Sequence, residues 1–173
     1  ETLLAGLRDR RSNLPPESTY EERHPSQMVA EDLRWKAESE IGSVEDAHGP
    51  ASAVVHANTR LTRFLALERI KARQEAGELS RPSTATAVRS IRQQAYDSLA
   101  SALEADAHSG LVRDAIVDAG YKIIGADREL SYLQGEIDAS RLDDSIAGYW
   151  HAMALAHSAP AAARQTASVL RTE

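Results

Sequence analysis

Cysteine is absent from the sequence. That single absence excludes disulfides, thiolate metal sites, iron–sulfur clusters and cysteine nucleophiles together. It suits a reducing compartment, so a cytoplasmic location is expected. No long apolar run occurs and the first residues carry no signal-peptide pattern, so neither a membrane span nor a leader is expected. The chain opens on Glu1 rather than Met, and it is expected to have been processed or cut from a longer protein. An excess of basic charge is lacking too. There are 20 basic residues against 26 acidic ones, for a formal net charge of −6. Nucleic-acid binding draws on a continuous phosphate-neutralising track, so no nucleic-acid partner is expected. The familiar phosphate cradles and the GxSxG nucleophile elbow are missing as well.

Aromatic residues make up only 5% of the chain, and β-branched residues are sparse beside alanine. Strands favour what this composition lacks and helices favour what it holds. The 173 residues suffice for one ordinary domain, able to bury roughly 70% of the surface of its unfolded chain. The bases are almost all arginine; Lys36, Lys71 and Lys122 are the lysines.

Period-3.6 patterning between proline and glycine stops predicts an all-α bundle of six or seven helices. Leu3, Leu4 and Leu7 mark a short first helix, stopped by Asn13-Leu14-Pro15-Pro16. Pro25 opens a second, with Val29, Leu33, Ala37 and Ile41 on one stripe and Gly42 as its stop. Ser43–Gly49 reads as a connector. Two long helices, expected to run antiparallel, follow at Pro50–Gly77 and from Pro82 to about His108. The second carries the seam Val88, Ile91, Ala95, Leu99 and Ala102, which suits either an internal core or a shared dimer interface. Helix resumes at Leu111. Tyr121–Ile124, framed by Gly120 and Gly125, admits a short strand, although a lone strand has nothing to pair with, and continuing helix is the expectation. Glu129–Ile137 and Leu142–His157 are read as further helices, and Pro160 as the start of a small terminal one. The domain reading is a helix and linker over 1–24, a bundle over 25–157 and a helical tail over 158–173. No family is recognised, since the Leu67–Ser80 pattern is what capping rules give any helical hairpin.

Candidate chemistry is thin. Glu21 and His24 stand three apart, a spacing used by helical metal sites, but no second such pair follows. No metal and no cofactor are expected. Asp144 and His151 are seven apart and can share a helix face, leaving open an enzyme whose acid–base groups come from separate helices. Tyr149, Trp150, Met153 and His157 follow helical steps of three and four. With Tyr121 and Tyr132 they are the candidate lining of a ligand pocket or partner surface, against the simpler reading of Tyr149, Trp150 and Met153 as core. The expected function is a non-enzymatic interaction or regulatory module. It would act through helix faces, docking a partner protein or a second copy of itself. The alternative is a sensory or small-molecule-binding domain with an aromatic pocket.

Overall fold

The computed structural model describes residues 2–13, 24–82, 85–105, 109–133 and 139–172. Seven helices form among them: α1 (Thr2–Ser12), α2 (Pro25–Ser39), α3 (Ile41–Glu45), α4 (Pro50–Glu75), α5 (Ala85–Ala105), α6 (Gly110–Ser131) and α7 (Ala139–Thr172). No strand occurs among the described residues, and the fold is an all-α bundle.

Local starts follow from capping chemistry. Pro25 stands in the first turn of α2, where its missing N–H costs nothing, and the His24 ring accepts from the Ser26 backbone N–H while Gln27 reciprocates. Pro50 plays the same part in α4. Gly77, with φ of +69°, turns the chain out of α4 in a conformation that other residues avoid.

α7 is the axis of the bundle, with α6, α4, α5 and α2 all packed on it. Tyr149, Trp150, His151, Ala152, Met153, Ala154, Leu155 and Ala156 are consecutive and all buried. A helix buried on every side must be enclosed by others, unlike one with a single apolar stripe. The main core joins these residues to Val29 and Leu33 of α2, Ala66, Leu67 and Ile70 of α4, Val88 and Ala95 of α5, and Ala119, Ile123 and Ala126 of α6.

Several expectations are corrected. Pro160 does not open a separate helix; it lies inside α7. An interior proline disfavours helix by about 3 kcal/mol. Here the flanking turns are held in place: Ala159 and Ala163 pack with Val112, and Ala162 with Leu61 and Phe64. Gly42 does not end α2, which stops at Ser39 with Glu40 as its cap; the glycine falls inside α3, where a connector was read. Gly120 and Gly125 both lie inside α6, so Tyr121–Ile124 continues the helix as expected. Glu129 belongs to that same helix, while residues 134–138, and with them Ile137, lie outside the described residues. The two long helices α4 and α5 each pack on α7. The α5 seam is consumed inside the chain: Val88, Ala95 and Ala102 are buried, and Ile91 and Leu99 pack on the main core. It is therefore no free dimer surface. Pro15, Pro16, Glu21 and His108 lie outside the described residues.

Candidate functional site

α2, α6 and α7 border an open pocket of about 550 Å³. Small residues line it, Gly125 and Ala126 of α6 with Ala147 and Gly148 of α7, and Gly148 lets α7 approach Ala126 closely. Its walls are charged: Asp32 and Lys36 from α2, Asp118, Lys122, Arg128 and Glu129 from α6, and Asp144 and His151 from α7.

Asp32 is the hub. Its Oδ2 lies 3.0 Å from Lys122 Nζ, 3.2 Å from Lys36 Nζ and 3.2 Å from His151 Nδ1. Burial by itself would raise this carboxyl, but the His151 ring and the two ammonium groups outweigh it and hold it below its ordinary value. His151 is fully enclosed by the packing of α7. Burial, then the nearby Lys122, drives its ring well below the usual imidazole range, with Lys36 and Arg63 adding to the effect and Asp32 opposing it. Burial therefore favours the neutral ring. Because an ionised carboxylate can only accept, a proton on Nδ1 is the one that suits the 3.2 Å contact with Asp32 Oδ2. Nε2 is buried and without a partner among the described residues. An unmet buried acceptor costs roughly 1–3 kcal/mol. The chemistry on offer is thus hydrogen-bond acceptance by an imidazole beside a carboxylate; burial that disfavours the protonated ring makes it a weak base. No serine or threonine is among the described residues that line the pocket. No group of three or more acids and histidines able to hold a metal ion occurs among the described residues.

A second cavity of about 700 Å³ lies between α4, α5 and α7, with Arg69, Arg73, Ser98, Met153 and His157 among its lining. Ser98 Oγ stands 3.2 Å from His157 Nε2. The hydroxyl proton is given to the Gln94 carbonyl at 2.7 Å. His157 is held below its ordinary value by burial and then by Arg69 and Arg73. A nucleophilic serine needs its proton directed at the base, and the base needs an orienting acid. Neither condition is met.

The candidate residues from the sequence are dispersed. Tyr149 is core, donating its hydroxyl to Asp127 Oδ1 at 2.6 Å. Trp150 is also core, its ring stacked on His24 at 6.0 Å. Met153 and His157 border the second cavity, Tyr121 stands exposed beside the first, and Tyr132 is exposed beneath the Arg141 guanidinium, 5.0 Å away. Among the described residues no cavity gathers these aromatics. Asp144 and His151 do reach the same cavity, but the carboxylate on the ring is that of Asp32 from another helix. The sequence reading missed Asp32, Lys36 and Lys122. One signal was present: in an arginine-dominated chain, two of the three lysines converge on one carboxylate.

Fold and site together define an all-α helical domain with a charged interhelical pocket centred on Asp32 and the buried His151. The chain belongs to the family described as Domain of unknown function (DUF8264), whose model matches residues 1–168. No curated protein and no solved structure matches it.

Proposed function

We propose that this protein is a helical small-molecule-binding domain whose ligand seats between α2, α6 and α7. One observation carries the reading: His151 Nε2 is buried with no partner among the described residues, on a ring beside Asp32, in the wall of a pocket large enough for a small molecule. The ligand that fits is small and polar. It offers a hydroxyl or amine to Nε2 and carries further groups for the mixed ammonium and carboxylate walls. The lining is charged where the sequence reading expected aromatics.

The test is native mass spectrometry of the purified chain, followed by a thermal-shift screen of small polyhydroxylated and amino compounds. The discriminating variant is His151→Asn, because asparagine keeps a donor near the Nδ1 position and removes the Nε2 acceptor. A retained or stabilising compound whose effect disappears in His151→Asn supports the reading. Binding that is indifferent to that change, or no binding across the screen, removes it.

A second reading, the interaction module, is favoured by a different observation: an exposed apolar stripe along α6.

A further inference from the structure

We propose that the outward face of α6 is an interface between two copies of this chain, packed antiparallel about a twofold axis near Tyr121. Val117, Tyr121 and Ile124 are 48%, 69% and 65% exposed. Isolated exposed apolar residues are ordinary. These three are spaced four and three apart, so they stack into one continuous ridge instead of scattering.

Gly120 adds an independent observation. It lies on the same face, three residues after Val117 and four before Ile124, in the middle of a 22-residue helix. Glycine is disfavoured in helix interiors relative to alanine. A Cβ built on Gly120 meets nothing within 4 Å, so nothing within the chain requires the missing side chain. Gly148 shows what such a glycine does in this fold: a Cβ there would come 2.8 Å from Ala126 Cβ, because a neighbouring helix lies against it. Gly120 gives an incoming helix the same close approach.

Charge order selects the occupant and its direction. Arg113 and Asp114 precede the ridge, and Arg128 and Glu129 follow it. An antiparallel second copy sets Asp114 against Arg128 of the other chain, a pair made twice by symmetry. A parallel copy would set like charges together. A self-complementary patch of this kind is what a twofold interface requires. Because Tyr121 also borders the α2–α6–α7 cavity, the second copy would wall in one side of it. The interface stands on the helix face alone and does not depend on ligand binding.

Sedimentation velocity of the full chain over a concentration series is the experiment. The expected result is a concentration-dependent dimer. Ile124→Glu, at an exposed position outside the cavity lining, weakens it by about tenfold or more, with the circular dichroism spectrum unchanged. Asp114→Arg alone and Arg128→Asp alone also weaken it, and the double exchange Asp114→Arg/Arg128→Asp recovers most of the loss. A monomer at every concentration, a dimer untouched by Ile124→Glu, or a double exchange that recovers nothing each overturns the proposal. The His151→Asn variant leaves the dimer intact, so loss of ligand binding and loss of the interface are separate outcomes.

Discussion

Replacing Gly148 by alanine adds one methyl group where α7 lies on α6, and the structure fixes both the sign and the scale of the effect. The new Cβ falls 2.8 Å from Ala126 Cβ, 3.2 Å from the Lys122 carbonyl oxygen and 3.5 Å from Ala126 Cα. Carbon atoms settle about 3.5–4.0 Å apart, so the nearest contact is short by roughly 1 Å. None of the three neighbours can rotate away, because two are backbone atoms and the third is an alanine methyl. The helices must therefore part, loosening the contacts of the buried Ala119, Ile123 and Ala126 with α7. Overpacking of this kind costs about 1–3 kcal/mol, and the rigid neighbours put it at the upper end. Alanine's better helix propensity offsets up to about 1 kcal/mol. The net expectation is a loss of about 1–2 kcal/mol, or a melting temperature lower by roughly 3–6 °C in a chain of this size. Gly125→Ala is the control, since its Cβ meets nothing within 4 Å. It should stabilise by about 0.5–1 kcal/mol. Thermal and urea unfolding followed by far-UV circular dichroism read both. A Gly148→Ala protein as stable as its parent would refute the close approach of α6 and α7.

Two further outcomes follow from buried charge. Asp127 accepts from Arg92 at 2.7 and 3.0 Å and from the Tyr96 and Tyr149 hydroxyls at 2.6 Å each; burial opposes them, yet together they pull its carboxyl down to about 2. A carboxylate depressed in the folded state stabilises fully above its unfolded value. That stability, roughly 2 kcal/mol, is lost as pH falls from about 4 toward 2. Asp127→Asn should flatten the melting temperature against pH across that window, and an unchanged slope would discard the network. Arg60 is wholly buried, none of its guanidinium nitrogens has a hydrogen-bond partner among the described residues, and burial followed by repulsion from Arg11 lowers it to about 10. Arg60→Met removes an uncompensated buried cation and should stabilise on the order of 1–3 kcal/mol in urea unfolding; a destabilised variant would show that the guanidinium has a partner in solution.

The sequence by itself determined the helices, because their causes are local. Pro25 and Pro50 each stand in a first helical turn, Gly77 follows α4, and apolar residues at steps of three and four tell each helix which side to bury. Local rules failed where tertiary packing outweighed them. Pro160 is a breaker in isolation, yet α7 runs through it, as α6 runs through Gly120 and Gly125 in line with expectation. The glycines cost only about 1 kcal/mol each, and the proline is flanked by turns that the surrounding helices clamp. The spacing of Tyr149, Trp150 and Met153 was read as one helical face, but spacing cannot tell a cavity from a core; only the four helices around α7 decided that these side chains are enclosed. The site was beyond any linear reading. Asp32–Lys36 at i, i+4 looks like a solvated surface pair, Lys122 like an ordinary helix lysine and His151 like one histidine among six. They become one electrostatic unit only when α2, α6 and α7 converge. Coulomb energy and desolvation depend on distance and burial in space, and separation along the chain encodes neither.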